Sequence, residues 1–412
     1  MLYYALLLVF ILEYVRPIRY LPFLYPLHLS TIIPVGVAYF STRNNQAILN
    51  IDFLKLSNTK MILILLGLMG AGVLWVEVHY YTFLKFVTVF GYFLIYYSII
   101  KNVNGRKGID GILIVISLCH MVLLILTPDV ILHPEVRTYL EHESFLGDGN
   151  DFALSLNIVI PYCIYLYSRN KSKSKKLFFL FLTAIFVLAV IGTSSRGGSV
   201  ALAAVLFYQW LKSRNKMLGL AGLAVVILLV LAYAPANYFE RMGTIQNYES
   251  EGSAQGRISV WKSAIRMAVD HPLTGVGAGH FGLYRGTKYQ PPEVGQSPVR
   301  WSTAHSVYFL VLGELGFPGL AVIICLIVVN LVRNGRIIRS SSVNKASGSS
   351  LPDRQLFICL NSSLIGFAVG GAFLSAAYYP HLYILAGLME AGRHTYQREQ
   401  KNGENGLLPV TH

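Results

Sequence analysis

Charge is what this sequence has least of. Aspartate, glutamate, lysine and arginine together make up 13% of its 412 residues, whereas a soluble globular domain carries about 25%. That shortage excludes a chain that covers itself with charge in water, and the 54% share of hydrophobic residues places it in a bilayer. Cysteine is also scarce. Cys119, Cys163, Cys325 and Cys359 all fall within apolar stretches without metal-ligand spacing, so they read as inert thiols of the core. No internal repeat is evident, which argues against the duplicated halves of many transporters. The first apolar run, Met1 to Val15, lacks a basic leader and a small-residue cleavage site, and reads as a retained helix.

What the sequence has in abundance is apolar runs long enough to cross a hydrocarbon core, which takes about 20 residues as helix. They predict an all-α polytopic membrane protein of about twelve spans at 2–15, 22–40, 61–76, 80–100, 110–127, 152–168, 177–193, 197–211, 217–235, 305–332, 355–375 and 379–391. Short alternating segments, the mark of a β-barrel, are not the pattern here. The formal charge of +14 is spread over short clusters between apolar runs, which reads as topology rather than as a nucleic-acid surface. Loops around Arg43 and Lys60, Lys101 and Lys107, Arg169 and Lys176, Lys212 and Lys216, Arg333 and Arg354, and Arg393 and Lys401 hold 22 of the 34 basic residues. With twelve spans all of them, and both termini, fall on one side, expected to be the cytoplasm. Arg16 and Arg19 dissent, because the same topology puts them outside.

The opposite side receives residues 128–151 and the longest polar segment, 236–304. The expected organisation is N-terminal spans over 1–145, central spans over 146–235 carrying Arg196, the long outer loop 236–304, C-terminal spans over 305–392 and a tail over 393–412. Within the long loop, Gly256–His271 places Ile258, Trp261, Ile265 and Ala268/Val269 on one helical face, with Arg257, Lys262 and Arg266 away from it. This predicts an amphipathic helix on the membrane surface, although a helix packed on the bundle has the same spacing. Pro272 ends it, and the glycines of Gly275–Gly282 permit close turns. His305 opens the next apolar run, with Glu314, Gly316 and Gly319 following; a polar cap and helix-packing glycines fit these residues too. Arg196 lies between two spans with almost no loop, where an arginine is costly and reads as a paired charge or an anion site. Asp148, Asn150 and Asp151 precede the span at 152–168 and read first as a helix cap, second as a substrate contact. No group of residues has the spacing of a metal site.

In this order, these pieces resemble the O-antigen ligase and O-antigen polymerase superfamily of bacterial membrane proteins. The matching elements are Arg196 with Val200, Arg257 with Trp261, and His305-Ser306 followed by Gly316 and Gly319. The resemblance covers roughly residues 145–390. Val200 stands where the ligase pattern usually has leucine. The resemblance implies a C-type, inverting, metal-independent glycosyltransferase of the bacterial inner membrane with its active site facing the periplasm. Its donor would be a glycan on undecaprenyl diphosphate and its acceptor lipid A–core or another glycan or protein, with no cofactor. Arg196 and Arg257 would hold the diphosphate, and His305 would orient or deprotonate the acceptor hydroxyl. Trp261, Arg266, Glu314 and Asp151 complete the expected substrate contacts. A polysaccharide polymerase and a protein O-glycosylation ligase share the same motifs. A transporter of the lipid-linked glycan would instead place its charges near the bilayer midplane.

Overall fold

In the computed structural model, residues 1–43, 52–134, 145–234, 238, 252–290, 302–343 and 350–404 are described. Parts of the loops expected at 128–151 and 236–304, the linker residues 344–349 and the end of the tail lie outside them. All regular elements among the described residues are helical. In chain order they are α1 (Leu2–Tyr14), α2 (Leu29–Arg43), α3 (Ser57–Gly72), α4 (His79–Asn102), α5 (Gly105–Leu126), the single turn α6 (Asp129–Leu132), α7 (Gly149–Arg169), α8 (Lys173–Gly192), α9 (Arg196–Lys212), α10 (Lys216–Tyr233), α11 (Gly252–Asp270), α12 (Phe281–Thr287), α13 (Val307–Val343), α14 (Ser350–Gly371) and α15 (Pro380–Glu404). Six segments among the described residues are long and apolar enough to cross a membrane: Pro22–Arg43, His79–Asn102, Gly105–Leu126, Gly149–Arg169, Lys173–Gly192 and Val307–Ser341. Leu2–Tyr14, Ser57–Gly72 and Gly219–Tyr233 are apolar but shorter. The chain is therefore a polytopic membrane protein. Helix α7 is its axis, packed against α5, α8, α9 and α14, and most of its surface is buried.

The basic clusters meet at one end of the bundle. Arg106 pairs with Glu399, and Arg398 donates to Asn104 at 3.3 Å. Arg169 lies 3.5 Å from Asp110, Ser168 bonds Gln355, and Arg354 donates to the Lys212 carbonyl at 2.8 Å. Arg333 and Arg393, expected in loops, are helical and reach into the bundle, because α13 and α15 run past the apolar stretches. Arg393 is 3% exposed; its guanidinium donates to Glu390 at 3.1 Å, Asn334 at 2.8 Å and Asn330 at 2.9 Å. Arg333 reaches the same Glu390 carboxylate at 3.3 Å, and Asn58 joins Asn330. A buried charge is tolerable when paired and hydrogen-bonded throughout, and this network pins α3, α13 and α15 together. Cys325, unlike the other three cysteines, is exposed and is not a core thiol.

The other end is organised by a break in α13. Gly316 has φ +66 and ψ −165, so the helix stops at Leu315 and restarts. The break leaves carbonyls without helical partners, and the segment after α11 supplies them. Val276 N–H donates to the Gly313 carbonyl and Gly277 N–H to the Glu314 carbonyl, both at 2.9 Å, while Phe317 N–H donates to the Pro272 carbonyl at 2.9 Å. The approach is close enough that a Cβ on Gly316 would lie 2.5 Å from the Pro272 oxygen. His280 fastens the same segment to α4. Its Nε2 accepts from Val78 N–H at 3.3 Å, and its Nδ1 faces the Thr82 hydroxyl at 3.1 Å. Burial lowers the His280 pKa, which keeps the ring neutral and able to accept.

Helix α11 shows which of its residues pack on the bundle. The residues buried against α13 are Val260, Ser263, Ala264, Met267 and Ala268, whereas Ile258, Ile265 and Val269 are exposed. The helix thus has two apolar faces, one packed and one open.

Gly316→Ala combines a left-handed backbone, which costs a non-glycine residue about 1–2 kcal/mol, with a clash against carbonyl oxygen. It is expected to lower the unfolding temperature in detergent by several degrees. Gly256→Ala, with nothing within 4 Å of the added Cβ, should leave it unchanged or raise it. Equal unfolding temperatures for wild type and Gly316→Ala would refute this account of the break.

Candidate active site at the broken-helix end

Arg196 is the first residue of α9. The turn before it is tight because Ser194 adopts φ +51 and the Ser195 side chain caps the helix, accepting from Gly198 N–H at 3.0 Å. Gly197 and Gly198 let this end approach its neighbours: a Cβ on Gly197 would lie 2.8 Å from Phe373, and one on Gly198 would lie 2.7 Å from Ala153. The half-buried Arg196 side chain therefore starts from a backbone wedged between α7 and the residues following α14.

His305 sits one residue before Ser306, whose carbonyl accepts the first α13 bond. It is half-buried, with φ +49, a conformation costing a histidine of order 1–3 kcal/mol. Ser375 holds it there: its Oγ accepts from His305 N–H at 2.8 Å and from the Thr303 hydroxyl at 2.6 Å. Arg285 donates to Ser302 at 2.6 Å, and Trp261 Nε1–H donates to the Ala304 carbonyl at 3.0 Å. The four residues 302–305 are thus gripped from three elements.

Trp261 also stacks on Phe309, with centroids 4.8 Å apart and planes 13° from parallel. Such a pair contributes about 0.5–1.5 kcal/mol beyond its buried area. Arg257, half-buried, is four residues earlier on α11 and so lies on the same side of the helix as the Trp261 anchor. Arg266 is nine residues from Arg257, about 2.5 turns, and is exposed on the opposite side of α11.

Two further candidates are engaged within the protein. Glu314 is 2% exposed, and both carboxylate oxygens accept: Oε1 from Phe281 N–H at 3.0 Å and Oε2 from the Tyr378 hydroxyl at 2.7 Å. Asp151 accepts from the Tyr379 hydroxyl at 3.2 Å. Asp148, not Asp151, caps α7, through Asn150 N–H at 3.2 Å.

One segment absent from the sequence reading meets His305, Glu314, Asp151 and the Arg196 end of α9. In the turn between α14 and α15, Phe373 backs Gly197, Ser375 holds His305, Tyr378 meets Glu314 and Tyr379 meets Asp151. Small and aromatic residues in Ala372–Tyr379 resemble the ends of two spans, and only Pro380 hinted at a turn. Arg285 and His280 were likewise unmarked by any motif. Among the described residues, no three of His, Cys, Asp and Glu gather as a set able to hold a metal ion.

No curated protein matches the chain. Residues 179–324 match the family model described as O-antigen ligase, a stretch that contains Arg196, Arg257, Trp261, His305, Glu314 and both glycines of the helix break. The central part of the chain, from α8 into α13, is thus similar to the O-antigen ligase family.

Proposed function

We propose that the chain transfers a glycan from undecaprenyl diphosphate to an acceptor hydroxyl, on lipid A–core in the first instance, at the periplasmic face of the bacterial inner membrane. The observation that carries this reading is the shared turn Ala372–Tyr379, which puts the Arg196 end of α9 and the backbone of His305 against residues two apart, Phe373 and Ser375. Trp261 ties the Arg257 helix to the residue preceding His305. A cationic clamp and a proton acceptor so arranged suit transfer from a diphosphate.

In this reading the acceptor hydroxyl oxygen attacks the anomeric carbon, and the hydroxyl proton passes to the His305 imidazole. The bond from the anomeric carbon to the diphosphate breaks, and its electron pair leaves with the undecaprenyl diphosphate. Arg196 and Arg257 offset the charge that gathers on the departing oxygens, and in-line attack inverts the anomeric centre. Glu314 we assign to fastening the site rather than to contacting substrate, because both its oxygens are used by protein donors. The fold is read as that of a C-type membrane glycosyltransferase.

Purified enzyme given lipid-linked donor and acceptor tests the roles. Arg196→Ala and Arg257→Ala should each reduce transfer at least about 100-fold without loss of expression. Lysine should rescue in part, since it restores the charge but not the two-pronged geometry. Near wild-type rates in both alanine variants would eliminate the clamp.

His305→Ala should lose about 10²–10⁴-fold in rate yet still bind the lipid-linked donor. His305→Gln keeps a polar side chain but takes up no proton at neutral pH. Retention of most activity by glutamine would make His305 an orienting group rather than a base.

Because two arginines carry the charge compensation, turnover should persist in excess chelator. Activity lost to chelator and restored by a divalent cation would recast Asp148 and Asp151 as ligands.

A further inference from the structure

Arg16 and Arg19 break the charge pattern of this protein, lying at the end of the bundle opposite the basic clusters. The structure places Arg16 where its charge meets the site. It follows the last residues of α1 and has φ +50, a left-handed conformation that a non-glycine residue holds only where its surroundings impose it. Its guanidinium lies over the Phe145 ring, 5.6 Å from the centroid. Phe145 in turn packs against Tyr379, centroids 5.5 Å apart, and Tyr379 bonds Asp151.

These contacts give the turn Ala372–Tyr379 two sides. At its start Phe373 meets the Arg196 helix, in the middle Ser375 holds His305, and at its end Tyr379 leads to Asp151, Phe145 and Arg16. Asp151 is two residues before Ala153, the residue that meets Gly198. Two residues are about 200° apart around a helix, so Asp151 faces away from α9. Along the turn, the backbone of His305 is therefore held between the contact with the Arg196 helix and a second group of residues of different chemistry. The clamp is cationic. The second group offers carboxylate acceptors at Asp148 and Asp151, a tyrosine hydroxyl, aromatic surface and a single guanidinium. Carboxylates accept from sugar hydroxyls, while one arginine suits one anionic substituent.

We propose that Arg16, Tyr379 and Asp151 form an acceptor subsite for a saccharide bearing an anionic group, with Arg16 on that group and Asp151 on ring hydroxyls. This rests on the transfer reaction proposed above and adds the class of acceptor. Phosphate and carboxylate substituents share the required chemistry.

The test uses the full-length enzyme in nanodiscs with lipid-linked donor and three acceptors: phosphorylated lipid A–core, the same material enzymatically dephosphorylated, and the same material with its carboxyl groups reduced. Arg16→Gln is expected to raise the KM for intact acceptor about tenfold or more, the loss of one charged hydrogen bond, while the KM for donor stays at the wild-type value. Arg16→Lys should recover part of that loss. Tyr379→Phe, which removes only a hydroxyl, should raise the acceptor KM in the same direction. The wild-type advantage over Arg16→Gln should vanish with the acceptor that lacks the recognised group, dephosphorylated or carboxyl-reduced, and this names the group. Equal acceptor KM for wild type and Arg16→Gln, or an equal difference on all three acceptors, overturns the subsite. So does an increase in donor KM matching that in acceptor KM. If wild type itself transfers nothing from the lipid-linked donor, the transfer reading is what fails.

Discussion

The motif end of this molecule depends on one buried carboxylate. Glu314 is held two residues before the break in α13, 2% exposed, and its burial is tolerable only with hydrogen-bond donors on its oxygens. Phe281 N–H and the Tyr378 hydroxyl provide them. Because those donors belong to different segments, satisfying the carboxylate fixes both at once. One is the start of α12, continuous with the loop that follows α11. The other is the turn that holds His305 through Ser375. The glycines around it serve the same joint. The chain must leave the helix at Gly316 so that the carbonyls of Gly313 and Glu314 can accept from Val276 and Gly277, and a side chain there would strike the Pro272 oxygen. The histidine-to-glycine spacing read in the sequence is thus the length of helix between a held histidine and the break that positions its neighbours.

The two ends of the bundle handle polar groups in different ways. At the basic end, Arg393, Glu390, Asn330, Asn334 and Asn58 form a closed network of ordinary helical residues, which locks three helices and leaves little freedom. At the motif end, Arg16, Ser194 and His305 all have positive φ. Each such residue costs of order 1–3 kcal/mol and persists only where the surroundings over-determine it. Three of them beside the family's signature residues agree with a rigid scaffold at one end holding a strained, reactive end at the other.

The helices were readable because hydropathy decides them. Apolar runs in lipid have no competing structure that satisfies their backbone. Arg196, Arg257 and His305 were readable because a charge or an imidazole at an apolar boundary stands out. Glu314 stands out for the same reason, while spacing gives no account of which donors its carboxylate meets. The turn Ala372–Tyr379 was invisible. Its importance comes from what it touches, and serine, alanine and tyrosine between two apolar runs carry no pattern of their own. Arg393 was misread as a loop charge because an apolar window ends where charges begin, whereas α15 continues and buries them.

The two-faced α11 shows why one apolar stripe does not settle which side of a helix packs on protein. In water one apolar stripe marks the packed face, and the larger side chains Ile258, Ile265 and Val269 supplied it. Beside a membrane both faces of such a helix can be apolar, one against protein and one against lipid. Packing on α13 takes Val260, Ala264, Met267 and Ala268 and leaves Ile258, Ile265 and Val269 outside. Successive residues turn by about 100°, which puts Arg257 and Trp261 between the packed face and the open apolar stripe. Arg257 therefore occupies the seam between the packed face and the exposed apolar stripe, and Lys262 and Arg266 stand beyond the stripe. A polyprenyl-borne diphosphate, with its tail in the hydrocarbon and its charge at headgroup level, would meet Arg257 at that seam with Trp261 holding the helix in register. Rotating α11 by the half-turn between Arg257 and Arg266 would exchange the places of these two arginines, so it is the unremarkable alanine and valine face that gives Arg257 its position.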